Sequence, residues 1–441
     1  MEGKIKITNK TKKIIERDKK VFLTTTRAPY PFIADHGRGD FVFDIEGNKF
    51  IDFTSFISVY NFGVDGIKGA RAAAKAQIDK LMHSAFLDFR AEPPVRFAEL
   101  LLKQFPDGFG KVFLSNSGTE AVEAALKIAQ VTTKKPYILA YYNAFHGRTK
   151  GSLALTNTKL TQREYFGPFP NVVHVPYPYC YRCPFKQKYP DCGFACIDYI
   201  KEFPLKKEVS PKEAAAFIVE PVQGEGGYVV PPKDYFKELR KLLDENNILM
   251  ISDEIQAGYM RAGRFLALDN FNVSADIYTM AKAIGSGLPM GATIASNKVG
   301  DIPAGSHANT FGGNLVAIAA AYEQLKYVSS NKAALIASIE KKHRYAMKRL
   351  NEMKERFESV GDVRGLGMML AIEFVKDKKS KEPDTKMREA VVMESFYNGL
   401  LLLEAGESSI RLIPPVNIDD KNLEKGLDII ENAIAKIAKG K

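Results

Sequence analysis

Between Lys111 and Ser296 the chain repeats one unit: a short uninterrupted apolar run, a polar or glycine-rich turn, then a stretch with helical spacing. The apolar runs cover residues 112–114, 137–141, 216–219, 248–251 and 277–280. Strands buried on both faces read as continuous apolar runs rather than as alternating ones, so this repeat predicts an α/β fold built on a mostly parallel sheet with helices on its faces. In open sheets of this kind ligands lie beyond the carboxyl ends of the strands. The residues that follow each run are therefore where chemistry is sought.

The chain has 441 residues, more than one simple core supports. After Tyr322 the pattern changes to a long Lys- and Glu-rich helical stretch, apolar runs at 368–375 and 400–404, and a terminal amphipathic helix, which together read as a smaller α+β lobe. The opening has its own hairpin-like pattern at 41–44, Gly47 and 49–53, and is expected to join that lobe across the sequence. The expected organisation is a segment 1–62 contributing to the small domain, a large domain 63–325, and the rest of the small domain at 326–441. No apolar run approaches the roughly eighteen residues needed to span a bilayer, and the Lys-studded first twenty residues hold no apolar core for a signal peptide. A cytoplasmic enzyme without a membrane partner is expected. The net charge of +11 is spread among 52 acids with no basic block interleaved with aromatics, which argues against a nucleic-acid partner; the cationic excess suits the collection of small carboxylate substrates.

Four strand ends carry chemistry. After the first run comes Ser117-Gly118-Thr119-Glu120 ahead of an Ala-rich helix, a capping box at a helix N-terminus that suits a phosphate. After the second comes Phe145-His146-Gly147-Arg148-Thr149, with an aromatic able to stack on a flat ring. The run at 248–251 delivers Asp253-Glu254-Ile255-Gln256, and a carboxylate fixed there holds a pyridine nitrogen protonated. The last run delivers Lys282 against the Gly-rich Gly285-Ser286-Gly287, where desolvation makes an amine a nucleophile towards an aldehyde. Each motif alone also has a bland reading, as a cap, a packed aromatic or a surface lysine. Together they supply a phosphate anchor, a ring stacker, a pyridinium partner and a Schiff-base lysine on strand ends that one sheet brings together.

At this point the sequence resembles the class III aminotransferases, the fold-type I pyridoxal-phosphate family that includes 4-aminobutyrate and ornithine aminotransferases. The resemblance runs from about Ala34 to Val416 and rests on the four motifs above together with Glu220-Pro221-Val222-Gln223-Gly224-Glu225-Gly226-Gly227 and Asn309-Thr310-Phe311-Gly312-Gly313-Asn314. It implies a large PLP-binding domain and a smaller α+β domain, with pyridoxal 5'-phosphate as cofactor. Gly118 and Thr119 would hold its phosphate, Phe145 would stack on its ring, Asp253 would face the pyridine nitrogen and Gln256 its hydroxyl, with His146 and Ile255 beside it. Lys282 would carry the cofactor and act as general base, and Thr310 would reach the phosphate of a neighbouring subunit, so a homodimer or a dimer of dimers is implied. Two loops depart from the family pattern, Gly63-Val64-Asp65-Gly66-Ile67 and Met260-Arg261-Ala262-Gly263.

For the reaction, the resemblance implies amino transfer to a 2-oxo acid, and an ω-amino donor such as 4-aminobutyrate with 2-oxoglutarate as acceptor is expected. An amino-acid racemase on the same scaffold, or an ornithine aminotransferase, is the alternative. A racemase needs a second acid/base opposite Lys282, and racemases of this family place an Asp where this chain has Glu225. Ornithine enzymes carry a Tyr where this chain has Ile57. Arg411 is expected to take the α-carboxylate of 2-oxoglutarate, Arg148 a carboxylate further out, and Glu225 to mask Arg411 when the donor lacks an α-carboxylate. One array lies outside this scheme: Cys180, Cys183, Cys192 and Cys196 are all the cysteines of the chain and fall in one short segment. A tetrahedral zinc site, paired disulfides and plain thiols all fit that spacing.

Overall fold

The computed structural model describes residues 5–25 and 28–439. The chain divides into two compact units, one of Met1–Gly66 with Ala337–Lys441 and one of Ile67–Ile336. The second division falls inside a 42-residue helix, Leu315–Arg356, which leaves helical geometry at Asn331.

The interrupted unit holds two four-stranded sheets. In one, the hairpin strands Ala34–Arg38, Phe41–Asp44 and Lys49–Asp52 are completed by Leu400–Leu401, which pairs in parallel with Lys49–Asp52. The other orders Val360–Leu366, Met369–Phe374, Ser409–Leu412 and Leu403–Ala405, all antiparallel. The helix Asp420–Lys439 buries Leu423, Leu427, Ile430 and Ile434, one face at helical spacing. It carries Gly426 in its interior, where a Cβ would come within 2.2 Å of the Phe53 ring. Glycine at a helix centre costs about 1 kcal/mol against alanine, and the close seat of Phe53 is what requires it.

The continuous unit is built on one seven-stranded sheet. Its strands are β1 (Phe109–Ser115), β2 (Tyr137–Tyr141), β3 (Val172–Val175), β4 (Ala214–Val219), β5 (Leu249–Asp253), β6 (Ile277–Met280) and β7 (Gly291–Ser296), in the order β1-β7-β6-β5-β4-β2-β3. All neighbours are parallel except β7, which runs against both β6 and β1. The helix Gly118–Thr133 lays Val122, Ala125 and Ala129 on a core that includes Ile138, Ile218, Ile251 and Ile277. Its alanines let the helix sit close enough for the Thr293 hydroxyl of β7 to donate to the Ala121 carbonyl at 2.8 Å. Among the described residues no helix is long and apolar enough to cross a membrane.

Candidate active site

Every strand that the sequence analysis singled out leaves its core at the same edge of this sheet, because β1, β2, β4, β5 and β6 all point one way. β5 and β6 are neighbours with Asp253 in register with Thr279, and the Glu254 N–H donates to the Thr279 carbonyl at 2.9 Å. Asp253 and Lys282 thus leave adjacent strands. Lys282 opens the short turn Lys282–Gly285 with φ 51°, a left-handed conformation that a non-glycine residue holds only when its surroundings enforce it.

Asp253 is buried and has both oxygens engaged. Its Oδ1 accepts from the Ile255 N–H at 3.1 Å, and its Oδ2 lies 2.7 Å from His146 Nδ1. The backbone N–H of His146 donates to the Thr156 hydroxyl at 2.9 Å, while His146 Nε2 of the ring is buried without a hydrogen-bond partner. The imidazole therefore fixes the rotation of the carboxylate. Beside it the Arg148 guanidinium lies 5.0 Å above the Phe145 ring.

The helix start after β1 is shaped for a close approach. Ser117 accepts from the Glu120 N–H at 3.3 Å, as the capping box requires, but the Glu120 carboxylate reaches the Asn116 N–H at 2.9 Å instead of that of Ser117. The reciprocal arm is shifted back by one residue. A Cβ on Gly118 would stand 2.9 Å from Ile255 Cδ1, so the helix end packs directly on the residue after Asp253–Glu254. The Thr119 hydroxyl meets Thr149 and Ser152 at 2.7 and 2.6 Å, and a Cβ on Gly147 would fall 2.4 Å from it. The Asn309–Asn314 loop is pinned to the end of β1 by Asn309 Nδ2 donating to the Leu114 carbonyl at 3.0 Å, and holds Thr310 exposed.

Glu220, quoted in a motif but given no role, is the residue that sequence reasoning missed. It follows the fully buried β4, and its two oxygens accept the N–H groups of Phe145 and Gly224, each at 3.0 Å. One side chain so ties the Phe145 loop to the turn that carries Glu225. Its only sequence signal is an acid directly after an all-apolar strand. Burial, more than any neighbouring charge, pushes its carboxyl up to about 7.

Glu254 next to Asp253 is also fully buried, accepting from Ala267 N–H, Leu268 N–H and the Ser252 hydroxyl, and burial likewise pushes it up to about 7. For such a group the folded chain keeps its proton at pH values where the unfolded chain has lost it, above the ordinary value of 4.5. Folding stability that is present below pH 4.5 is therefore lost as the pH rises to about 7, by up to a few kcal/mol per group. Denaturant titrations from pH 4.5 to 8 are expected to show this decline, and Glu254→Gln to flatten part of it whatever its baseline stability. An unchanged slope in that variant would refute the assignment.

Ile57 and Arg411 belong to the interrupted unit. Arg411 is buried on the strand Ser409–Leu412, opposite Ala371 and Leu403. Ile57 sits in four successive residues with left-handed backbone, Ser55, Phe56, Ile57 and Ser58, at φ of 42, 46, 64 and 62°. A β-branched residue there costs about 1–2 kcal/mol. The turn is held by Asp52 Oδ1, which accepts from Thr54 N–H, Thr54 Oγ1 and Ser55 N–H, and by the Ser55 hydroxyl donating to the Ile413 carbonyl at 2.6 Å.

Among the described residues no group of three or more His, Cys, Asp or Glu side chains is arranged to hold a metal ion, and all four cysteines are free.

The family model described as aminotransferase class-III matches residues 23–434. A leucine/methionine racemase of Thermococcus litoralis is 37% identical, over 97% of this chain and 96% of its own. A 4-aminobutyrate aminotransferase of Escherichia coli is 34% identical, over 96% and 98%. A crystal structure of a Bacillus anthracis aminotransferase superposes with a TM-score of 0.89 at 28% identity, covering 98% of this chain and all (100%) of that one.

Proposed function

We propose, from the premise that this chain belongs to the class III aminotransferases, which are pyridoxal-phosphate enzymes, that it moves the amino group of a small ω-amino acid such as 4-aminobutyrate to 2-oxoglutarate. The observation that carries the catalytic part of this reading is the pair of adjacent strand ends delivering Asp253 and Lys282. The surroundings fit the cofactor: a buried carboxylate for the ring nitrogen, a helix start at Gly118 packed directly on Ile255 beside that carboxylate, and a buried His146 Nε2 left without a partner. Bound pyridoxal phosphate supplies an electron sink for the carbon that bears the amine.

The rest is done by side chains. Lys282 holds the cofactor and carries a proton from and back to the reacting carbon. Asp253, oriented by His146, keeps negative charge beside the pyridine nitrogen. Phe145 would stack on the ring, Gln256 would face its hydroxyl with Ile255 beside it, and the N–H groups at Gly118 and Thr119 would take the phosphate. Arg411 and Arg148 receive substrate carboxylates, with Ile57 limiting the donor. The functional unit is a dimer, in which Thr310 serves the neighbouring subunit. Large apolar residues left uncovered on the continuous unit, among them Phe89 at 70% and Phe311 at 57% exposure, support that pairing. Sedimentation at micromolar concentration is expected to give twice the chain mass.

A second reading is amino-acid racemisation, favoured by the higher identity to the leucine/methionine racemase. Glu225, which the family resemblance reads as the aminotransferase residue at that position, speaks for transfer. Assays of a panel of amino donors with 2-oxoglutarate, beside a chiral assay of the same amino acids without acceptor, separate the two. Racemisation faster than transfer would overturn the first reading. For the donor itself, Glu225→Ala is expected to raise single-turnover rates with α-amino donors relative to ω-amino donors by about tenfold or more, the scale of one lost charge interaction. Arg411→Ala is expected to impair chiefly the 2-oxoglutarate half-reaction. An unchanged donor preference in Glu225→Ala would refute its part.

A further inference from the structure

The aminotransferase reading leaves the cysteine segment unused, although the fold gathers it. Cys180 begins the 3₁₀ turn Cys180–Arg182, Cys183 ends it, and Cys192 and Cys196 flank the start of the helix Ala195–Glu202. All four line one small cavity of about 20 Å³, room for a single water molecule, between aromatic walls that include Tyr177, Phe185 and Phe194. The four differ in access. Cys180 is exposed and the others are partly covered. A 3₁₀ turn eclipses side chains three residues apart, so it brings the thiols of Cys180-Tyr181-Arg182-Cys183 onto one edge, with the outer one open to solvent.

We propose that Cys180 and Cys183 are a redox pair, converted by low-molecular-weight disulfides into an intramolecular disulfide, while Cys192 and Cys196 stay reduced. The Cys180 thiolate attacks one sulfur of the small disulfide, forming a mixed disulfide and releasing one thiol. Cys183 then displaces the second thiol from Cys180. In sum the pair loses two protons and two electrons, one S–S bond forms in the protein, and one small disulfide is reduced to two thiols. Burial raises the Cys180 thiol, so the attack speeds up as the pH rises. Cys196, whose thiol is pushed up much further, is the slowest to react.

The sequence provides a direct assay, because Arg182 lies between the two cysteines. Trypsin separates Cys180 in peptide 164–182 from Cys183 in peptide 183–186, and leaves Cys192 and Cys196 together in 189–201. The full-length holoenzyme is equilibrated with oxidised glutathione, its remaining thiols are alkylated, and the digest is read by mass spectrometry. The expected result is one disulfide-linked species of 164–182 with 183–186, a doubly alkylated 189–201, and linkage that forms well over tenfold faster at pH 9 than at pH 7. Cys183→Ser is expected to stop at the glutathione adduct on Cys180, and Cys180→Ser to leave Cys183 alkylated. Four alkylated cysteines after oxidation, a link from 164–182 to 189–201, or zinc protecting the thiols would each overturn the proposal. None of these outcomes depends on the amino-transfer reading.

Discussion

Lys282→Ala is expected to give a folded protein, still able to hold pyridoxal phosphate without a covalent bond, whose turnover falls by at least about ten-thousandfold. The magnitude follows from losing two functions at once. The amine is both the nucleophile that anchors the cofactor and the base that moves the proton, and a positioned base alone contributes about a hundred- to ten-thousandfold. The position leaves little room for a substitute, since Lys282 is delivered by the buried β6 and held in a strained left-handed backbone immediately after it. An alanine there removes the side chain without disturbing the strand. The visible absorption of the bound cofactor is expected to shift to that of the free aldehyde, and single-turnover rates report the loss. Near-normal turnover would sink the catalytic assignment as a whole.

Asp253→Asn is expected to lower the rate by about a thousandfold while leaving the fold intact. Shape is conserved, and the Oδ1 that accepts from Ile255 N–H remains an acceptor. What disappears is a charge in a buried site, 4% exposed, where a preorganised electrostatic partner is worth about 3–4 kcal/mol to the transition state. The amide also changes the partner offered to His146 Nδ1 at 2.7 Å, so some of the loss comes through the imidazole. His146→Ala separates the two effects: it should cost less than Asp253→Asn, because the carboxylate loses its brace but keeps its charge. Equal losses would place the main role on the histidine. A rate within tenfold of wild type in Asp253→Asn would move the charge-stabilising function elsewhere.

The fold was legible where hydropathy carries it. Tyr137–Tyr141 and Ile277–Met280 are found at the ends that the sequence analysis drew, as apolar runs lying between Lys135-Pro136 and Asn143 and between Asp276 and Lys282. Gly291–Ser296 was invisible for the opposite reason: fully buried, it must be small, since a Cβ on Gly291 would stand 2.5 Å from the Ser115 hydroxyl and the Ser117 carbonyl. Val172–Val175, only four residues long and interrupted by His174, gave too brief a signal. In the site, residues at strand ends were readable because parallel topology dictates where they emerge. Glu220 was not, since its part lies in hydrogen bonds that join the distant Phe145 amide to the nearby Gly224 amide. Nor was the left-handed turn of Ser55–Ser58, whose Phe and Ile favour other backbone conformations and are held by Asp52 and the Ile413 carbonyl.

The antiparallel strand β7 also sets a timetable for synthesis. In the sheet order, β1 has a single neighbour, and that neighbour is β7, whose first residue, Gly291, lies far downstream of Ser115. A ribosome adding about 5–20 residues per second takes roughly ten to thirty seconds over that interval. Throughout it, strand 109–115 has emerged with both edges unpaired, an open template for pairing with another chain. The same interval delays the Gly118 helix start, because the strand that positions it has nothing to lean on. Chaperone demand during translation should therefore concentrate on nascent chains that end between 115 and 291, and fall once Gly291–Ser296 has left the exit tunnel.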